Sequence, residues 1–251
     1  MADPAVSVYA VDTGKPGDGL PGAGTTLGWA GFRDGTAVAY DRDGNHSIQV
    51  LADALVHDLD DAQRSVALGF EHVLWIPVPD EAADLLKQRR IADSAAPGAT
   101  SPWCGRFAVW GLVQGLQLLS WLLSHVARRV REPLRGTTAL DEWSASGCRL
   151  FVFEAFVAGR AHAAGGVRAH VQDAHTAAAA AHDALRSEGG RPTFARGPEV
   201  LTKPASAGDG RVMNLASAAL AYAGLAADPV RLDEPGLLVA PQARRTGWAE
   251  A

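Results

Sequence analysis

Cysteine is scarce in this chain. Two cysteines, Cys104 and Cys148, occur in 251 residues, and they show no CxxC or other paired spacing. Structural zinc sites and disulfide frameworks need several cysteines at characteristic spacings, so the sequence predicts neither. The first ten residues, MADPAVSVYA, do not have the pattern of a secretory signal. We therefore expect a reducing, cytoplasmic location.

Long apolar runs and excess positive charge are also lacking. The most apolar stretch, residues 107–123, is about the minimum length for crossing a bilayer, and it contains Gln114, Gln117 and Ser120. We interpret it as a buried helix and expect no membrane partner. A net charge of −5 and a pI of about 5.9 remove the general electrostatic attraction that most nucleic-acid binders use. Binding of nucleic acid would then depend on local basic clusters, whose alternative interpretation is solvated helix faces. The clusters are Lys87, Arg89 and Arg90, and Arg128, Arg129, Arg131 and Arg135.

The apolar patterns that are present predict strands and helices in alternation. Period-2 or short apolar runs predict strands, and apolar residues at helical spacing predict helices. A turn at Arg33-Asp34-Gly35 joins the second and third predicted strands. The predicted strands are 6–12, 25–32, 34–41, 65–71 and 149–154, and the predicted helices are 48–63, 80–93, 106–131, 170–187 and 214–225. A short apolar segment, 236–241, ends the order.

This order predicts one α/β domain over residues 1–251. Three strands joined by hairpins and then strands separated by helices imply a mixed sheet flanked by helices, in which three antiparallel strands are followed by parallel ones. We expect an insertion at about 72–105, in which residues 94–105 form a loop that serves as a lid. A C-terminal extension is expected at about 189–251.

Four carboxylates lie at the ends or in the middle of apolar runs. Asp12 ends the first strand, Glu71 ends the fourth, Glu154 interrupts the apolar run RLFVFEAFVAG, and Asp173 lies at the start of the next helix. Ligand sites of open α/β sheets collect beyond the carboxyl ends of parallel strands. Clustered carboxylates repel one another unless a cation neutralises them, and hard oxygen ligands favour Mg²⁺ or Mn²⁺. The pattern predicts a divalent metal site.

The same segments carry a resemblance to a known family. In this order, VYAVDTG with the hairpins after it, ALGFE, LFVFEAFVAG and HVQDA resemble the ribonuclease H-like fold, and more closely the family of predicted RNase H-like nucleases. The resemblance spans roughly residues 5–185 and the Ala-rich helix at 213–226. It implies a hydrolase that cleaves phosphodiester bonds of nucleic acid with two divalent metal ions. The implied ligands are Asp12, Glu71, Glu154 and Asp173, with Asp12 and Glu71 as the principal ones.

Three further residues bear on this interpretation. His170 lies three residues before Asp173, so the pair would share a helix face, and the imidazole could move a proton. Its alternative is a histidine without a role at the start of a helix. Asn214 replaces the acid with which many similar proteins begin the last Ala-rich helix, and this departure puts one metal in doubt. The best-known RNase H enzymes need no carboxylate at the position of Glu154.

Three other functions compete with a nuclease. Asp12-Thr13-Gly14 is also the aspartic-protease triplet, but that mechanism needs a second aspartate, and no second DTG or DSG occurs. Glycines in the first loop could cradle phosphates, as in actin-like ATPases, although no Walker motif is present. A non-catalytic binding or scaffolding protein could use the long apolar helix, with Trp110 and Trp121, to form a homo-oligomer. The glycines are Gly14, Gly17, Gly19, Gly22 and Gly24.

Overall fold

A computed structural model describes most of the predicted elements. The described residues are 5–13, 27–38, 46–72, 74–78, 106–143, 148–157, 167–188, 191–195, 200–202, 211–227, 230, 232–233, 236–239 and 241. Four predicted features lie outside them: the glycine-rich loop, the helix at 80–93 with its basic cluster, the lid at 94–105, and the side chain of Trp110.

The chain forms the predicted mixture of strands and helices, with additional short strands. In order, the elements are β1 Ala5–Asp12, β2 Gly28–Arg33, β3 Thr36–Ala37, α1 Ile48–Leu59, β4 Arg64–Phe70, β5 Trp75–Val78, α2 Arg106–Ala127, β6 Arg135–Thr137, β7 Cys148–Ala155, α3 Val167–Ala184, β8 Leu185–Glu188, β9 Arg191–Phe194, β10 Val200–Thr202, β11 Arg211–Asn214, α4 Leu215–Tyr222 and β12 Leu237–Val239.

The main sheet is mixed, as expected. Its strand order is β10-β12-β7-β4-β1-β2-β3, and β6 pairs with the start of β7. The β1-β2-β3 part is an antiparallel meander, whereas β4 and β7 add parallel strands. Asp34 and Gly35 both have positive φ, 49° and 80°, in the turn between β2 and β3. That conformation is typical of tight hairpins and confirms the predicted turn.

Several strands were not predicted. The C-terminal extension contributes β10 and β12 to the main sheet, because β12 pairs in parallel with β7. The predicted insertion contains β5, which pairs with β11 in a small separate sheet. The helix predicted to reach Ser187 ends at Ala184, because residues 185–188 pair with 191–194 as a hairpin. The sequence signal for that hairpin is Gly189-Gly190, a dipeptide common in two-residue connections.

Helices cover both faces of the main sheet and divide the core in two. The α1/α2 face carries Val11, Leu68 and Val152, which pack against α1, α2 and α4. The α3 face carries Val8, Ala67 and Phe153, which pack against α3. Successive residues of a strand point to opposite faces of the sheet, so every second residue of a given strand lies on the same face. The helix α3 presents Ala174, Ala177, Ala178 and Ala181 to the sheet.

A buried ion pair anchors α1 to the sheet. Asp58 of α1 is 1% exposed, accepts a hydrogen bond from the Tyr9 hydroxyl at 2.6 Å, and forms an ion pair with Arg33 at 2.6 Å. Because a buried carboxylate is stable only with such partners, this group fixes the position of α1 against β1 and β2. None of the helices in the described part of the chain is long and apolar enough to span a membrane.

Candidate functional site

Asp12 and Glu71 meet at the carboxyl ends of two neighbouring parallel strands. Asp12 is the last residue of β1, and Glu71 directly follows β4, where its backbone N–H donates to the Val11 carbonyl at 2.8 Å. By alternation, Asp12 follows Val8 and Ala10 on the α3 face, and Glu71 follows Ala67 there. The two carboxyl groups share a hydrogen bond. The structure therefore brings these two predicted ligands together.

The environment of Glu71 strongly favours its protonated form. Burial of the carboxyl group raises the pKa of Glu71 well above its ordinary value, and the neighbouring charge of Asp12, the hydrogen bond to Asp12 and the charge of Asp173 raise it further. Two carboxyl groups can hydrogen-bond to each other only when one of them carries a proton. Burial and two neighbouring acidic residues therefore act in the same direction on Glu71, and acidic groups are concentrated at this rim.

The N-terminal part of α3 adds two more predicted residues. His170 Nδ1 lies 2.6 Å from Asp12 Oδ2 and donates a hydrogen bond to it, since an ionised carboxylate only accepts. Asp173 is close enough for its charge to raise the pKa of Glu71. The helical spacing of three residues places His170 and Asp173 on the same face of α3. Four of the five predicted site residues form one group, which we call the carboxylate cluster: Asp12, Glu71, His170 and Asp173.

Gly28 allows α3 to reach the cluster. It pairs with Asp12 between β1 and β2, and the backbone of α3 crosses directly over it. A Cβ atom at Gly28 would lie 2.3 Å from the His170 carbonyl carbon and from the Val171 nitrogen. Any larger residue would push the helix away from the sheet. The glycine therefore sets the distance between His170 and Asp12.

His72 and Thr13 flank the cluster and were not predicted as site residues. His72 Nε2 and Thr13 Oγ1 are 2.9 Å apart, and the imidazole stacks on Phe70. Gly115 of α2 leaves room for the ring, because a Cβ there would lie 2.2 Å from it. Burial lowers the pKa of His72 to about 4, so the ring is neutral near pH 7. The available sequence signal was a histidine directly after the strand-end acid.

Glu154 is placed differently from the other carboxylates. It lies beside Phe70 in the β4–β7 pair, and alternation puts it with Leu150 and Val152 on the α1/α2 face. It is fully buried, and its Oε1 accepts hydrogen bonds from the backbone N–H groups of Leu74 at 2.6 Å and Trp75 at 3.2 Å. The buried carboxyl group therefore has backbone amides as partners. Direct metal ligation by Glu154 stays a prediction.

Asn214 has a structural role in the described fold. It is the N-cap of α4, where its Oδ1 accepts from Ser217 N at 3.0 Å, and its Nδ2 donates to Thr138 Oγ1 at 2.9 Å. The residue is fully buried. These contacts account for an amide at this position, because an amide can accept and donate at once whereas an ionised carboxylate can only accept.

The second basic cluster lies at the opposite rim of the sheet. Arg129 pairs with Asp53 and Arg131 with Asp60. A groove of about 630 Å³ between the ends of α2 and α4 is lined by Arg128, Arg131 and Tyr222, among others. The groove precedes β6, which begins beside the first residue of β7, so it is remote from the carboxyl ends of β1 and β4.

Comparison with known proteins finds no match: no family model, curated protein or solved structure is similar enough to this chain to indicate a relative. Within the part of the chain that the structure describes, no three or more histidine, cysteine, aspartate or glutamate side chains already stand at metal-ligating positions. The contacts within the carboxylate cluster include the hydrogen bond between Asp12 and Glu71 and the contact between His170 Nδ1 and Asp12 Oδ2.

Proposed function

We propose that this protein is a Mg²⁺- or Mn²⁺-dependent phosphodiester hydrolase, a nuclease, whose metal ligands are Asp12, Glu71 and Asp173. The observation that carries the proposal is the hydrogen-bonded pair of Asp12 and Glu71 at the carboxyl ends of β1 and β4, with Asp173 of α3 near enough for its charge to act on Glu71. An antiparallel meander followed by parallel strands is consistent with the RNase H-like fold that the sequence resembles. The proposed protein has an RNase H-like fold and acts on nucleic acid.

The donor set fits a hard divalent cation. Carboxylate oxygens are the preferred ligands of Mg²⁺ and Mn²⁺, and a cation would offset the charges of Asp12 and Asp173, which add to burial in raising the pKa of Glu71. Binding of a cation would compete with the proton on Glu71, so the affinity of such a centre would rise with pH.

Each residue then has a defined part in hydrolysis. Bound divalent ions supply an activated water and stabilise the leaving oxygen. Asp12, Glu71 and Asp173 would hold the ions at the rim where β1 and β4 end. His170 orients Asp12 through Nδ1, and its ring can carry a proton to or from a reacting oxygen. Neutral His72 fixes Thr13, the residue after Asp12, through its Nε2 contact.

A cleavage assay tests the proposal. The purified chain is incubated with labelled single-stranded and structured DNA and RNA in the presence of Mg²⁺, Mn²⁺ or EDTA. We expect metal-dependent cleavage that falls at least about 100-fold in Asp12→Asn and Glu71→Gln, since ligand removal exceeds the 10–100-fold effect typical of outer-shell changes. Asp183→Asn is the matched control, because Asp183 is an exposed aspartate at the far end of α3 and should leave activity unchanged. Cleavage that survives EDTA, or that Asp12→Asn leaves intact, would refute the proposal.

The second candidate is a non-catalytic binding or scaffolding protein on the same fold. It is favoured by the absence, among the described residues, of three groups already at metal-ligating positions, and by Trp121 of α2, which is 37% exposed. A thermal shift with Mn²⁺ but without cleavage, together with a concentration-dependent mass, would support it. A nucleotide-induced thermal shift would instead support the actin-like ATPase.

A further inference from the structure

Glu154 is fully buried next to the strand that carries Glu71, yet it points to the opposite face of the sheet. We propose that Glu154 is a positioning residue: it clamps the chain that follows Glu71 and thereby holds Glu71 in place, without binding the metal itself. The effect on metal binding rests on the function proposed above. The clamp itself can be tested separately.

The clamp consists of two hydrogen bonds to one oxygen. Glu154 Oε1 accepts from Leu74 N at 2.6 Å and from Trp75 N at 3.2 Å. Both amides belong to the chain soon after Glu71: Leu74 lies between β4 and β5, and Trp75 is the first residue of β5. Buried backbone N–H groups need an acceptor, and leaving one without it costs about 1–3 kcal/mol. The Glu154 side chain meets that need for two consecutive residues.

Leu74 is also held from its other side. Its carbonyl accepts a hydrogen bond from Leu215 N at 2.6 Å, at the start of α4. On the near side, Glu71 N donates to Val11 O at 2.8 Å. The chain between these anchors is only a few residues long. The hydrogen bonds at Leu74 and at Glu71 hold the two ends of this short segment, so loss of the clamp would leave it with the bonds to Val11 and Leu215.

The two possible roles of Glu154, clamp and metal ligand, predict opposite effects of substitution. A clamp needs an acceptor oxygen at the reach of a Glu side chain, and glutamine keeps that oxygen while losing the charge. A ligand needs the negative charge, which aspartate keeps although its side chain is one methylene shorter. The clamp therefore predicts that Glu154→Gln is tolerated better than Glu154→Asp, and ligation predicts the reverse order.

The experiment compares the two variants in the full chain with two measurements. Mn²⁺ affinity is measured by calorimetric titration, and hydrogen exchange of the Leu74 and Trp75 amides is measured by NMR without metal. We expect Glu154→Gln to bind Mn²⁺ within about threefold of the wild type and to keep both amides protected. Glu154→Asp should weaken binding by about tenfold, the lower end of the effect of outer-shell partners, and lose protection. Glu188→Gln and Glu188→Asp, at an exposed position in β8, are the matched controls.

The outcomes separate the clamp from the proposed function. If Glu154→Asp binds Mn²⁺ as the wild type does while Glu154→Gln does not, Glu154 is a ligand and the inference is overturned. If the wild type binds no Mn²⁺, the metal-dependent function fails, and amide protection alone then decides whether the clamp exists. If Glu154→Asp does not fold, Glu154→Gln is decisive: retained protection with lost Mn²⁺ binding indicates a ligand, whereas retention of both supports the clamp.

Discussion

The carboxyl group of Glu71 is protonated more readily in the folded protein, yet it must lose its proton to bind a metal ion. Its burial beside Asp12 and Asp173 raises its pKa, so the folded protein keeps it protonated at a pH where an exposed glutamate is ionised. A metal ligand must give up that proton. The same residue thus opposes folding stability and supports binding, as is common where function requires clustered charges.

Glu71→Gln should change how stability depends on pH. Because the folded-state pKa is raised, the stabilising contribution of the proton is fully present below the ordinary value of 4.5 and is lost as pH rises through the raised pKa. Glutamine cannot ionise, so at pH 8 the variant should be more stable than the wild type by about 1 kcal/mol or more. Urea unfolding between pH 4 and 8 measures this, with exposed Glu188→Gln as control. Parallel curves for Glu71→Gln and wild type would contradict the assignment.

His72 should produce the opposite pH dependence. Burial lowers its pKa from 6.5 to about 4, so stability is fully present above pH 6.5 and is lost as pH falls towards 4. At 1.36 kcal/mol per pKa unit, the loss reaches up to about 3 kcal/mol. We expect His72→Gln to flatten this part of the unfolding curve, whereas the exposed His57→Gln in α1 should leave it unchanged. An equally steep acid loss in His72→Gln would show that other groups cause it.

The sequence predicts four members of the site but not the role of the fifth. Asp12 and Glu71 end apolar runs, and His170 and Asp173 share a helix face, so local patterns are sufficient to group them. For Glu154, the sequence indicates only that a buried carboxylate needs a partner. Its partner amides belong to Leu74 and the first residue of β5, a strand whose pairing with β11 depends on residues far along the chain. Local patterns do not contain that information.

At the scale of elements, the contact between α3 and β2 sets the geometry of the cluster. Gly28→Ala should displace α3, because the added Cβ would lie 2.3 Å from its backbone. Overpacking of this kind costs about 1–3 kcal/mol, and the hydrogen bond between His170 and Asp12 should break. Thermal unfolding and the His170 imidazole NMR signals measure both effects.

Gly224→Ala is the control for Gly28→Ala. Gly224 has a φ of 72°, and a Cβ there would have no atom within 4 Å, so this change adds backbone strain without a clash. It should cost about 1 kcal/mol and leave the His170 signals unchanged. Should Gly28→Ala prove no more harmful than Gly224→Ala and leave His170 unaffected, the helix would not depend on the glycine for its position.

Substitutions of Asn214 test its role as the N-cap of α4. Asn214→Ala removes the acceptor for Ser217 N and the donor to Thr138 Oγ1, so we expect a loss of about 1–2 kcal/mol in urea unfolding. Asn214→Asp keeps the acceptor but buries a charge, and it should also destabilise near pH 7 and recover as pH is lowered. If Asn214→Asp instead gained stability on addition of Mn²⁺ beyond that of the wild type, the position would belong to the metal site.

The elements that sequence patterns predict well are those that carry their own periodicity or turn signal. The helices α1 and α3 and the hairpin at Asp34-Gly35 fall where expected. The strands β5, β10 and β11 are three or four residues long and gain stability from pairing with distant strands. Their sequences hold too few residues to show a period of two, so their existence depends on tertiary structure.

For the whole molecule, the sheet separates binding groups from supporting groups. Its parallel strands β1, β4 and β7 end at one rim, and alternation sends Asp12 and Glu71 to the α3 face and Glu154 to the α1/α2 face. The α3 face can then carry the acidic groups of the site, while Glu154 on the α1/α2 face holds the backbone that follows Glu71. The groove near Arg128 lies at the other rim, so ligands there would not contact the carboxylate cluster.

Stabilisation by Mn²⁺ should therefore increase with pH. Binding to the folded state stabilises by RT ln(1 + [L]/Kd), about 2.7 kcal/mol at a free concentration of about 100 times Kd. As pH falls, protonation of Glu71 competes with the ion, so Kd rises and the stabilisation shrinks. Thermal unfolding with and without Mn²⁺ from pH 5 to 8 measures the difference. The gain should be lost in Glu71→Gln and kept in Asp183→Asn. A gain that is independent of pH, or equal in Glu71→Gln, would place the ion at another site, because only ligation by Glu71 couples binding to the release of its proton.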